Sequence, residues 1–229
     1  MQPDLIVYAV LAVIAMVLSS TVHEWAHAWT VDRLGDDTPA RQGRLTLNPI
    51  AHIDPLGTLV MPALGALIGG MLIGWARPVE FRPQRFTRRI TMRRGTMIVA
   101  LAGPLSNVVL VFVCLGLLKL GTVAFGLDAW VDAPVLRAAG QLLYVGVWVN
   151  LVLAVFNMLP APPLDGFKVL QGLAPDGNVV VRMLEEHQLV AFILAVFIGL
   201  RVLAGPVGAT YGWLISTFDL NATMRVLSL

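Results

Sequence analysis

The sequence is short of charge. Asp, Glu, Lys and Arg make up 13% of its 229 residues, against roughly a quarter in an average soluble domain. That is too little to give a globule of this size a hydrated surface. It excludes an ordinary soluble enzyme, and the abundance of apolar residues excludes a disordered or collagen-like chain. Cysteine is nearly absent. The single Cys114 sits in an apolar run, so no internal disulfide can form and the redox compartment is not readable. There is no internal repeat, low-complexity tract or flexible linker. The first apolar stretch has no basic segment before it and no small-residue cleavage site after it, so a cleaved signal peptide is not expected.

What is present is hydrophobic: 57% of residues are apolar and the mean hydropathy is +0.78. The solvent of such a chain is largely lipid. Charge-free stretches run from Leu5 to Val22, Pro55 to Ala76, Gly95 to Leu118, Ala138 to Leu164 and His187 to Leu200, then on from Val202 to Phe218. About 20 apolar residues cross a bilayer as a helix. Leu5–Thr30, Gly95–Leu118 and Ala138–Met158 meet that requirement. The last stretch is expected to hold one span, Leu189–Leu203, a break at Gly205-Pro206 and a further helix. Segment 55–76 is rich in glycine, with two GxxxG spacings among residues 65, 69, 70 and 74. It either spans or dips in and returns, and the balance of charge favours return. The fold class is therefore an all-α polytopic membrane protein, a bundle of about five to six membrane helices. A short β or re-entrant element is expected between the first two motif-bearing helices, with Gly43–Asn48 the alternating piece that reads as strand. The whole chain, 1–229, reads as a single domain, with a core at 5–170 and C-terminal helices at 187–229 that could act as a gate.

Seven arginines crowd between Arg77 and Arg94. Flanked by long apolar runs, they read as a cytoplasmic membrane-surface loop and not as a nucleic-acid site.

The chemistry concentrates at His23-Glu24-Trp25-Ala26-His27. Side chains at i and i+4 share a helix face, so two imidazoles can grip one ion. Glu24, about 100° around the helix, can stand beside the metal as a base without ligating it. Ionisable groups inside an apolar helix are costly and mark function. A catalytic zinc takes three protein ligands. Candidates for the third are His52, His187 and, most prominently, Asp165. Asp165 follows an apolar helix that Pro160, Pro162 and Pro163 must break, though it could equally cap the helix that starts beside it.

Three motifs in order now carry a resemblance: HEWAH at 23–27, Ala-Gly-Pro-Leu-Ser-Asn at 102–107 and Asn-Met-Leu-Pro-Ala-Pro-Pro-Leu-Asp-Gly at 157–166. Together with Asn48-Pro-Ile-Ala-His52-Ile-Asp-Pro-Leu-Gly57 and Gly74-Trp-Ala-Arg-Pro-Val79, they make the chain similar to the compact bacterial branch of the site-2 protease family of intramembrane zinc metalloproteases. The resemblance covers most of residues 5–170. It implies one Zn2+ per chain on His23, His27 and Asp165, Glu24 as general base, and Asn157 as a holder of the substrate carbonyl or oxyanion. His52 could orient substrate, occupy the resting metal or merely hold a turn. The implied activity is cleavage, within or beside the bilayer, of a membrane segment of another protein in regulated proteolysis. The implied location is the bacterial inner membrane, with the site toward the cytoplasm. No loop is long enough for a PDZ domain, and no nucleic-acid partner is expected. Ser106 and Asn107 read as interhelical hydrogen bonders. Two rival classes share the metal set: a zinc hydrolase of lipid or another small molecule, and a metal transporter or sensor without hydrolysis.

Overall fold

The computed structural model describes residues 3–61, 64, 74–87 and 89–228. Its helices are α1 Pro3–Arg33, α2 Thr38–Arg41, α3 Met92–Asp132, α4 Pro134–Asn157, α5 Asp165–Leu173, α6 Val179–Glu186, α7 Gln188–Thr217 and α8 Asn221–Leu227. Three of them, α1, α3 and α4, are long and apolar enough to cross a membrane, and α7 adds a fourth if it counts as one bent span. The architecture is all-helical among the described residues, as expected, but with fewer spans than the five to six inferred from hydropathy. The difference arises at two places. Segment 55–76 does not contribute a described span, and the C-terminal stretch stays one helix through Pro206.

α1 shows how the sequence sorts itself. Val10, Ile14 and Leu18 recur at helical spacing and face outward, while Ala12, Ala15 and Met16 pack on Val145 and Val149 of α4. Small residues let the two backbones approach closely, which is how helices associate where lipid is as apolar as leucine. Hydroxyls in this helix bond back one turn, Thr21 Oγ1 to Val17 O and Thr30 Oγ1 to Ala26 O, so they need no partner in lipid. Arg33 closes the helix, stacked over Trp29 at 5.0 Å from the ring centroid.

α3 is 41 residues long, about 60 Å if straight. It is not straight. Gly126 takes φ 79°, a conformation side chains resist, and the chain turns there. Trp130 then folds back into the core, its Nε1–H donating to Thr122 Oγ1 at 3.1 Å. The core at this end joins Val111 and Leu115 of α3, Val147 of α4, Leu214 of α7 and Leu220 and Leu227 at the C-terminal end. α7 bends by 47° between Gly199 and Arg201, earlier than the expected break at Gly205-Pro206. A proline obstructs the turn before it, and a bend upstream relieves that obstruction.

The loops gather on one face. Asp36, fully buried, accepts from Thr38 N–H, Thr38 Oγ1 and Arg82 N–H, tying the end of α1 to the arginine-rich loop. Arg85 reaches Asp37 at 2.9 Å. Trp75 N–H donates to Gly57 O at 3.0 Å, so the two ends of segment 55–76 meet. Its interior, 62–63 and 65–73, with the glycine spacings, lies outside the described residues. The strand expected at Gly43–Asn48 does not form. Arg44 in its middle turns inward and donates to Ala51 O and Arg77 O, and Thr46 O is taken by His52, so the backbone is folded into a turn and not laid along a sheet.

Between α4 and α5 the proline-broken turn packs tightly. A Cβ on Gly166 would run into Met158 O and, at 2.6 Å, Leu159 O. Gly166 is therefore there for close backbone approach, and not for a sharp turn of its own. Gly166→Ala should lower stability by at least about 2 kcal/mol, because carbonyl atoms cannot step aside as a side chain can. Thermal unfolding in detergent, beside wild type, measures it.

Candidate metal centre

His23 and His27 lie one turn apart on the buried face of α1, 7% exposed each. Their rings meet edge to face with centroids 4.7 Å apart, and their Nε2 atoms are 3.0 Å apart. Asp165 comes from 142 residues away, because the prolines end α4 at Asn157 and reverse the chain. It stands as the first residue of α5, past the N-cap Leu164, and its carboxylate caps nothing. Oδ2 lies 3.2 Å from His23 Nε2 and 3.2 Å from His27 Nε2. Oδ1 lies 3.3 Å from Lys168 Nζ. Among the described residues these three form the one grouping of His, Cys, Asp and Glu with metal-ligand spacing.

The outer nitrogens decide what the inner ones are. His27 Nδ1 faces Val99 O at 2.7 Å, and His23 Nδ1 faces Asn107 Oδ1 at 2.6 Å. Both partners are oxygens that only accept, so each Nδ1 carries the proton and each Nε2 presents its lone pair. Two lone pairs and a carboxylate oxygen thus converge within 3.0–3.2 Å, with no donor of their own between them. Such a cluster asks for a cation. Four ligands 2.0–2.1 Å from a tetrahedral zinc stand about 3.3 Å apart, close to the spacing seen. The wall opposite is cut to fit: a Cβ on Gly103 would come within 2.5 Å of both Nε2 atoms. The residues fit a zinc ion.

Glu24 is on α1 but outside this trio. Its Oε2 accepts from Val79 N–H at 3.1 Å. Residues 75–79 therefore lie over it as a strap, joined to the neighbouring turn by Arg44 on Arg77 O and by Arg77 N–H on His52 O. A cavity of about 420 Å³ opens beside the strap, with Gln42, Arg44, Arg77 and Glu80 in its wall.

His52 is 1% exposed and holds a turn, its Nε2 donating to Thr46 O at 2.8 Å. Burial pushes its pKa below the ordinary histidine value, against the pull of that hydrogen bond, so the ring is neutral at pH 7. Asn157 is half-buried and its amide donates to Leu153 O of its own helix at 3.0 Å. Neither joins the trio, and His187 is exposed at the start of α7. Ser106 bonds Gly103 O within α3, so of the pair expected to link helices only Asn107 does. Sequence reasoning passed over Asn150, Ser19, Val99, Val79 and Arg44. Asn150 left a signal, an amide in the middle of an apolar helix; a backbone group such as Val99 O leaves none.

Comparison with known proteins agrees with this chemistry. The model of peptidase family M50 matches residues 131–201, reaching into α7. A Bacillus subtilis protein named zinc metalloprotease YwhC is 38% identical over 183 residues, 80% of this chain and 78% of that one. Mycobacterium tuberculosis Rip2, also named a zinc metalloprotease, is 30% identical over 221 residues, 96% of this chain and 77% of that one. No solved structure matches.

Gly103→Val should weaken zinc retention by at least about tenfold, since the added carbons occupy the space between the rings. Gly116→Val, on the same helix with nothing near its Cβ, should leave it unchanged. Metal analysis after dialysis against a graded chelator compares the two.

Proposed function

The chain belongs to peptidase family M50 and is a zinc metalloprotease, and from that premise we propose that it cleaves a transmembrane or juxtamembrane segment of another membrane protein. The observation that carries this reading is the convergence of three acceptor atoms on one point of a multi-pass helical bundle. His23, His27 and Asp165 would hold one zinc ion. When bound, zinc acts as a Lewis acid and lowers the pKa of its water toward about 7.

The protein's own residues do the rest. Glu24 Oε receives the proton from the attacking water and hands it to the leaving amide nitrogen. The Val79 N–H on its other side keeps the carboxylate from swinging away. Asn157 would turn its amide from Leu153 O toward the substrate carbonyl. His52, neutral and tied to Thr46, supports the loop that carries the strap and leaves catalysis to Glu24. A helical substrate hides its amides and must unwind first; the cavity beside the strap is where an extended segment and water would enter.

The arginine-rich loop and the loop after α1 contact each other on the face that holds Glu24. Positive loops stay in the cytoplasm, which supports a bacterial inner-membrane protein with its site on the cytoplasmic side. α7 and α8 share a core with α3 and α4, which supports a single unit; a gate built from them would have to open that core.

Glu24→Gln should retain zinc and lower cleavage of a purified membrane-helix peptide in liposomes by at least about a thousandfold. Wild type with chelator is the control. Full cleavage by the variant overturns the role of Glu24. Release of fatty acid with an intact peptide would favour the lipid-hydrolase reading instead.

A further inference from the structure

Asn107 and Asn150 are among the most deeply buried polar side chains, 0% and 2% exposed, and nothing in the hydrolytic step uses them. They form a chain of amides across three helices. Asn150 Nδ2 donates to Gly146 O at 2.8 Å within α4 and to Ser19 Oγ of α1 at 2.9 Å. Asn107 Nδ2, from α3, donates to Asn150 Oδ1 at 2.8 Å. Asn107 Oδ1 then meets His23 Nδ1 at 2.6 Å.

The direction of this chain is forced from its far end. Gly146 O can only accept, so the Asn150 atom against it is the NH2 group. Asn150 Oδ1 must then face Asn107, and a carbonyl there demands a donor, so Asn107 presents its NH2 to Asn150 and its oxygen to His23. An oxygen against Nδ1 holds the proton on that nitrogen and frees the Nε2 lone pair. A flipped Asn107 amide would do the reverse: its NH2 would take the Nδ1 lone pair and drive the proton to Nε2, where a metal must bind. His27 needs no such device, because its Nδ1 rests on the Val99 backbone carbonyl, which cannot flip.

We propose that Asn150, which does not touch His23, is a positioning residue for the metal: through Asn107 it fixes the tautomer in which His23 can ligate zinc. This rests on the reading of His23, His27 and Asp165 as zinc ligands. A carboxylate at 107 presents oxygen to His23 whichever way it turns, and Asn150 is free to turn its NH2 from Gly146 O to that carboxylate, so in Asn107→Asp the His23 tautomer no longer depends on which way Asn150 points.

The test is zinc affinity by competition with a chromophoric chelator, on full-length protein in detergent, for wild type, Asn150→Leu, Asn107→Asp and the double variant. Asn150→Leu should weaken zinc binding by roughly tenfold or more. In the Asn107→Asp background the same change should cost no more than about threefold. Equal loss in both backgrounds, or no loss in either, overturns the proposal, because mere packing would be indifferent to residue 107. Should Asn150→Leu not fold, Asn107→Leu against Asn107→Asp carries the question: the first should lose about tenfold or more and the second about threefold or less, and equal affinities overturn it. Failure of the underlying reading looks different. In that case His23→Ala would bind zinc as tightly as wild type.

Discussion

An imidazole in a low-dielectric interior has two nitrogens to satisfy, and each left unpaired costs about 1–3 kcal/mol. Two imidazoles one turn apart on α1 double that demand at one spot. The fold answers the outer half of it with oxygen acceptors, Asn107 Oδ1 and Val99 O, and the inner half, two lone pairs beside the Asp165 carboxylate, is complete only with a cation between them. Much of the remaining architecture around the site follows. α3 must pass close enough for its backbone and Asn107 to reach both rings, which Gly103 permits. α4 must end so that the chain can reverse and bring Asp165 back, which three prolines enforce and Gly166 makes compact. Motifs far apart in sequence thus answer one local requirement.

The two histidines are served by different means. Val99 O is fixed by the helix it belongs to, and no side-chain substitution removes it. Asn107 has a rotatable amide whose two ends look alike in shape and opposite in hydrogen bonding. A histidine held that way needs something to choose the end, and the hydrogen bonds run from Asn107 through Asn150 to a helix carbonyl that cannot change sign. The site therefore combines one histidine secured by backbone with another secured by a side-chain network.

Legibility in the sequence followed the range of the physics. His23 and His27 were readable because helical periodicity is local, and the spans of α1, α3 and α4 because a bilayer imposes a length. Asp165 stood out because a carboxylate after a proline-broken apolar helix is conspicuous; that it would face the histidines and not cap α5 depended on tertiary packing. The Gly43–Asn48 strand failed for a similar reason. Alternation implies a sheet only if a neighbouring strand is there, and Arg44 found carbonyls on two loops instead. Gly205-Pro206 marks a bend in α7 but not its place, since a proline obstructs the turn before it and the helix yields upstream, between Gly199 and Arg201. Backbone partners such as Val99 O and Val79 N–H carry no residue signature, so no reading of side chains finds them.

Glu24 and the trio are supported from opposite sides, and this separation has a chemical consequence. The trio is held by α3, α4 and α5, elements buried in the bundle, while among the described residues Glu24 is held by one backbone N–H from a strap that belongs to the loop face. The strap in turn depends on Arg44 and on His52 O, both in the loop after α1. A zinc ion bound by the trio would stay in place when that loop face moves, but the orientation of the base would not. On the proposed reading, a strap that lifted to admit an extended segment would lose the Val79 contact and one that closed again would restore it. The arrangement thus separates what would hold the metal from what would orient the base: the first is built into the bundle and the second into the loop face.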